Sequence, residues 1–141
     1  MKNKWGLVIG VYAALALILG GVVSAVNMPR FSRVRSHGRA VQATVLRTDC
    51  ANHAFVVASF KVSGVTYEAG GTAGFQNPEC PEVKVGDAVL VFYLPSDPAV
   101  NVLGNVHERW NNEVISVLGA MLVLPLVPAA GVWWRHVRPA R

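Results

Sequence analysis

The sequence contains little charge, and its apolar residues are unevenly spread. Only 15% of its 141 residues are Asp, Glu, Lys or Arg, whereas about 25% is usual in soluble domains. Apolar residues make up 52% of the chain and are concentrated in two blocks. Without these blocks about 70 to 80 residues remain, which is near the lower limit for a domain with one hydrophobic core. This composition excludes an ordinary soluble protein and favours a small domain held by membrane segments.

Catalytic and nucleic-acid-binding signatures are also missing. The sequence has no nucleophile-elbow, zincin or phosphate-binding-loop spacing. The aromatic residues of its central region are not interleaved with Lys or Arg, as a base-stacking groove requires; they are Phe55, Phe60, Tyr67, Phe92 and Tyr93. We therefore predict a non-enzymatic protein with no cofactor and no nucleic-acid partner.

The first apolar block follows a basic tip at residues 1–4 and predicts a transmembrane helix over residues 5–27. About 20 apolar residues cross the hydrocarbon core of a bilayer. Pro29 disfavours a helical conformation at Met28, so we expect the helix to end near that point. Cleavage as a signal peptide is the alternative, because Val23-Ser24-Ala25 resembles a signal peptidase site.

The second apolar block predicts a transmembrane helix over residues 114–134. Asn111 or Asn112 is the expected N-cap, and prolines at 125 and 128 are expected to kink the helix. The other segments flank the helices and are polar or basic: a basic linker at 28–39, a polar linker at 107–113 and a basic tail at 135–141.

Residues 40–106 have the pattern of a small β module. Alternating apolar residues begin at Val41, and the turn at Ser63-Gly64 between two strand-like runs predicts a hairpin. Residues 70–82 are predicted as a loop, and two further strands are expected on either side of Pro95. The predicted fold is therefore a membrane protein in which two transmembrane helices flank an all-β module of about five strands, arranged as a curled sheet or partly closed barrel.

The chain has two cysteines, Cys50 and Cys80. A disulfide in an oxidising compartment is the favoured interpretation, and closing thirty residues would stabilise the module by roughly 3 to 4 kcal/mol. Free thiols and a metal site that also uses His53 and possibly His107 are the alternatives.

Lipid is the expected partner of the basic residues that flank the apolar blocks, because Lys and Arg at such positions contact phospholipid headgroups. Small residues share one face of the first helix and allow another helix to approach, as in a homo-oligomer or a complex with another membrane protein; they are Gly6, Gly10, Gly20 and Ser24.

The distribution of positive charge predicts opposite orientations at the two helices. Four arginines follow the first block, which favours a cytoplasmic β module, whereas the basic tail after the second block favours a cytoplasmic C-terminus. Two spanning helices cannot satisfy both. The cysteine pair fits an oxidising compartment, so we predict that the module faces outward and that both termini are cytoplasmic.

A turn signature brackets the strand predicted at 88–94 and consists of Gly86, Asp87, Tyr93, Pro95 and Pro98. Further positions of the same pattern lie before and within that strand: Gly38, Ala40, Val45, Tyr67, Val89 and Val91. Over nearly the whole chain this pattern resembles the domain of unknown function 3592 family, although Leu94 stands where that family often has Asp. The resemblance implies a multi-pass protein of the bacterial inner membrane with a β module between two helices, and it implies no catalytic residues.

Three functions are consistent with these features. The first is a non-enzymatic anchored module that binds a protein or envelope component. The second is a redox- or metal-linked accessory protein that uses Cys50 and Cys80. The third, a subunit of a transport or pore assembly, is disfavoured because neither apolar block contains the ionisable residue expected of an ion path.

Overall fold

A computed structural model of the protein describes residues 2–136. The chain forms helix α1 (Lys2–His37), strands β1 (Arg39–Asp49), β2 (Phe55–Val62), β3 (Val65–Thr72), β4 (Ala88–Leu94) and β5 (Asp97–Leu103), and helices α2 (Val106–Val123) and α3 (Leu126–His136). A short 3-10 helix lies at Cys80–Glu82. The chain divides into a helical unit, Met1–Asn27 with Glu113–Arg141, and a β unit, Met28–Asn112.

Two stretches of helix are long and apolar enough to cross a membrane, Trp5–Val26 with 22 residues and Val106–Arg135 with 30 residues. Many of their large apolar side chains are exposed, including Leu17 at 69% and Val127 at 78%. The core helix of a soluble protein buries such side chains. The predicted pair of long apolar helices on either side of a β module is therefore present. Most of the predicted basic tail, including Arg138 and Arg141, lies outside the described residues.

Within the helical unit, Gly20 allows α1 to pack closely against α2. A Cβ atom at Gly20 would lie 2.3 Å from the sulfur of Met121, whereas a Cβ atom at Gly21 would meet nothing within 4 Å. The Tyr12 hydroxyl donates a hydrogen bond to the Leu122 carbonyl at 2.9 Å. At Gly20, the small-residue face of α1 is thus occupied by the same chain. Gly6 and Gly10 have open space around them, so pairing with another helix there remains a prediction.

This contact gives a matched pair of variants. We expect Gly20→Leu to destabilise the helical unit by about 1 to 3 kcal/mol, because the larger side chain must displace Met121. Gly21→Leu should change stability by no more than about 0.5 kcal/mol, since its site is open. Thermal unfolding of the full chain in detergent micelles measures both, and equal effects of the two variants would contradict the packing described here.

Helix α1 continues through Pro29 to His37, so the predicted end near Met28 is wrong and residues 28–37 are helical rather than a linker. Proline removes one backbone donor and disfavours helix at the preceding residue, but tertiary packing overrides that preference here. Val34 is buried against Val102 and Val106, and Phe31 packs beside them.

Helix α2 begins at Val106, so residues 107–113, predicted as a polar linker, are helical. The side-chain oxygen of Asn105 accepts hydrogen bonds from the backbone N–H groups of His107 at 2.8 Å and Glu108 at 3.4 Å. Asn105 is therefore the N-cap, and the prediction of Asn111 or Asn112 is wrong. The helix is interrupted at 124–125, between α2 and α3, which confirms the predicted break near Pro125.

The five strands of the β unit form one antiparallel sheet in the order β3-β2-β1-β4-β5, and the sheet is nearly closed. Inward-facing side chains on β1, β2 and β4 fill its core, with Val45, Val56 and Val91 almost fully buried. The predicted hairpin is present, since Ser63 and Gly64 both have positive φ, 50° and 84°, as two-residue hairpin turns require. The predicted loop at 70–82 begins later than expected, because β3 extends to Thr72.

A single buried amide joins the two edges of the sheet. Asn101 on β5 is 3% exposed, and its side-chain NH₂ donates to the Glu68 carbonyl on β3 at 3.1 Å. The same NH₂ group faces the carbonyls of Pro98 at 3.1 Å and Ala99 at 3.2 Å. The backbone carbonyl of Asn101 accepts from Arg30. Asn101 therefore satisfies polar groups at the point where the barrel closes.

Candidate functional site

Cys50 and Cys80 form a disulfide bond, with 5.6 Å between their Cα atoms. Cys80 is 2% exposed, whereas Cys50 is exposed in the turn after β1. Within residues 2–136, no cluster of three or more His, Cys, Asp or Glu side chains is placed to hold a metal ion. Both sulfurs are bonded to each other, so neither is a thiolate ligand in this structure.

His53 and His107, the other residues of the proposed metal site, do not come together with the cysteines in such a cluster. His53 is exposed in the turn between β1 and β2 with a φ of 54°. His107 is exposed in the first turn of α2. Neither histidine has the buried, carboxylate-supported environment that usually orients a metal ligand.

The turn signature has structural roles. Gly86 has a φ of 95° and its N–H donates to the Val45 carbonyl at 2.9 Å, while an Asp87 carboxylate oxygen accepts from the Lys84 N–H at 2.8 Å. Tyr93 packs its ring 5.5 Å from that of Phe60. Pro95 occupies the turn between β4 and β5, and Pro98 lies in β5, at the edge of the sheet.

Two arginines line a cavity of about 160 Å³ in the β unit, which we call the arginine pocket. Arg30 comes from α1 and Arg109 from the first turn of α2. The rest of the wall includes glycines and aromatic rings, among them Phe31, Phe55, Gly70 and Gly71. The glycines have no side chains to occupy the cavity.

Backbone carbonyls hold both guanidinium groups in place. Arg30 donates from Nε to the Asn101 carbonyl at 2.8 Å, and from Nη2 to the same oxygen. Arg109 donates from Nε to the Leu103 carbonyl and from Nη2 to the Thr72 carbonyl. The guanidinium carbon of Arg109 also lies 4.2 Å from the centre of the Phe75 ring, a cation–π distance.

These contacts orient the two charges without neutralising them. Carbonyls and an aromatic ring carry no net charge, and among the described residues that line the pocket there is no carboxylate. Burial lowers the pKa of the Arg30 guanidinium from its ordinary value, because a desolvated cation is less stable. Arginine is still charged at neutral pH. The pocket therefore has the chemistry of an anion-binding site.

The sequence did not predict this pair, because 79 positions separate the two arginines and only the sheet brings them together. From the sequence, Arg30 is expected to be one of several basic residues that contact lipid headgroups beside the first apolar block. The available signal is that Arg30 is the first arginine after the first apolar block and Arg109 is the last arginine before the second.

Comparison with protein-family models, with curated proteins and with solved structures finds no match to this chain. The resemblance to the family described above therefore stays a prediction, and the function has to be argued from the structure.

Proposed function

We propose that the chain is a two-pass protein of the bacterial inner membrane whose disulfide-linked β module is a non-enzymatic interaction module for a protein or envelope component. The observation that carries the proposal is the continuity of α1. This helix contains the first apolar stretch and then contributes Phe31 and Val34 to the packing of the β unit. A module that shares a helix with the apolar stretch is tied by the chain itself to the proposed membrane anchor.

The proposed orientation has the β module outside the cytoplasm and both termini inside. The Cys50–Cys80 disulfide supports this orientation, because disulfides persist in oxidising compartments and are rare in the cytosol. The arginine pocket supports an interaction role, since it offers two oriented cations whose hydrogen bonds to backbone carbonyls leave their charge uncompensated.

Photo-crosslinking in intact cells tests the interaction role. We expect a photoreactive residue at Val85 or Val65, which are 67% and 53% exposed on the β unit, to form discrete adducts with an envelope protein or other envelope component. The matched control is the same residue at Leu17 on α1, which we expect to label lipid. Absence of adducts at every exposed module position would contradict the proposal.

The redox alternative makes a different prediction for the same protein. If the chain is an enzyme accessory, the purified protein should support a substrate-dependent reaction that is lost when Cys50 or His53 is changed. Recovery of such an activity would replace the interaction module with the redox function.

A further inference from the structure

The arginine pocket brings two cations to one cavity that contains no neutralising carboxylate on its described walls. Like charges in a partly desolvated site repel each other more strongly than they do in water. An anion between them would remove that repulsion and gain charge-assisted hydrogen bonds. We propose that the arginine pocket binds a phosphate ester, supplied either by a lipid headgroup or by a soluble phosphate compound.

The donors left on the guanidinium groups suit a phosphate, which has several acceptor oxygens, better than a simple halide. Each arginine uses Nε and Nη2 on backbone carbonyls, and these bonds do not engage Nη1. Planar guanidinium forks match the separated oxygens of a phosphate. Two such groups, fixed by carbonyls before any ligand arrives, lose little side-chain entropy on binding.

The pocket has room for this ligand. A cavity holds one water molecule when its accessible volume is about 10 to 15 Å³, so a cavity of about 160 Å³ on that measure accommodates a phosphate group with its five heavy atoms. Gly71 helps to keep this space open, since a Cβ atom there would lie 3.4 Å from Nη2 of Arg109. A larger side chain at Gly71 would fill the cavity without removing either charge.

The positions of the two arginines along the chain fit a lipid source. Arg30 follows Val26, the end of the first apolar stretch, by four residues, which is about 6 Å along a helix. Arg109 lies near the start of the second helical stretch, Val106–Arg135, five residues or about 7.5 Å before the uncharged block at 114–134. The headgroup layer extends roughly 5 to 8 Å beyond the hydrocarbon core on each side. Both arginines therefore reach headgroup level if both helices span, and to this extent the lipid source rests on the proposed membrane function.

The test uses the full chain in an uncharged maltoside detergent and measures its thermal stabilisation by three probes. These are dihexanoyl phosphatidylglycerol, a diacylglycerol of the same chain length without phosphate, and inorganic phosphate. We expect stabilisation by the phospholipid and none by the diacylglycerol. Arg30→Met and Arg109→Met should each weaken phospholipid binding about tenfold or more, since each removes a hydrogen-bonding charge.

Arg33→Met is the matched control, because Arg33 lies on the same helix, is exposed and does not line the arginine pocket. It should change binding less than about twofold. Gly71→Val is the second test and keeps both arginines. It should abolish binding by filling the cavity, so the proposal stays testable if an arginine variant fails to fold.

Stabilisation by inorganic phosphate of the wild-type protein, but not of Arg30→Met, Arg109→Met or Gly71→Val, is a further informative result. That result would support the site and identify a soluble phosphate compound as the source of its ligand. Equal weakening by Arg33→Met and Arg30→Met would overturn the proposal, as would unchanged phospholipid binding by Gly71→Val. The assay in detergent is independent of which side of the membrane the module faces. The phosphate site can therefore be correct even if the proposed orientation is wrong. The orientation can likewise be correct even if the protein binds no phosphate.

Discussion

Asn101→Asp should destabilise the β unit by about 3 kcal/mol or more at neutral pH. The change keeps the shape of the side chain but replaces the NH₂ donor with a carboxylate oxygen. That oxygen would face the carbonyls of Glu68, Pro98 and Ala99 at a site where only 3% of the residue is exposed. Thermal or denaturant unfolding of the full chain measures the loss.

The pH dependence of the same variant identifies the cause. A buried carboxyl that faces carbonyl oxygens has its pKa raised in the folded state. The Arg30 guanidinium on the Asn101 backbone carbonyl reduces this rise, and we expect burial to outweigh it, so that the folded protein binds more protons than the unfolded chain. Stability then falls as the pH rises through and beyond the unfolded pKa, about 3.9, and part of the loss is recovered at acidic pH. Wild-type protein should not gain stability in this way on acidification.

Asn105→Asp is the control for this experiment. The side chain of Asn105 acts as an acceptor toward the N-terminal N–H groups of α2, and a carboxylate is an equally good or better N-cap. The same chemical change should therefore cost no more than about 0.5 kcal/mol. Comparable losses at positions 101 and 105 would contradict the role of Asn101 in closing the barrel.

Removal of the disulfide should have an effect of similar size. Cys50→Ser with Cys80→Ala, chosen because Cys50 is exposed and Cys80 is buried, releases a closed loop of thirty residues. The chain-entropy model gives a loss of about 3 to 4 kcal/mol. For a unit of this size the loss lowers the Tm by on the order of 20 °C.

Reduction provides the control for the disulfide variant. A reducing agent should lower the Tm of the wild-type protein to that of the double variant, and it should leave the double variant unchanged. If the Tm of the double variant equalled that of the oxidised wild-type protein, the disulfide would not be structural. Together with loss of an activity, that result would favour the redox function.

The strands could be predicted from the sequence because their signals are local. Each strand or turn is defined by residues that are close together in the sequence. Examples are the alternation from Val41, the turn at Ser63-Gly64 and the residues around Pro95, and these elements are present. The disulfide between Cys50 and Cys80 is also predictable, since both cysteines lie in predicted loops beside strand ends, where two loops can meet.

The errors at the helix ends arise from tertiary packing. Pro29 is a local stop signal, but Val34 is buried against β5 and α2, and the helix continues. The polar residues after Asn105 do not have the pattern of an apolar helix. They nevertheless form the first turns of α2, which Asn105 caps. No local pattern predicts the arginine pocket, because β2, β3, β5, α1 and α2 assemble it from distant segments.

Thiol labelling in intact cells with a membrane-impermeant reagent tests the central claim most directly. With the module outside and Cys50 bridged to Cys80, we expect labelling only after mild reduction, and without disruption of the membrane. Labelling that requires a broken membrane and no reductant would place the module in the cytoplasm with free thiols. That result would contradict both the proposed orientation and the disulfide on which it rests.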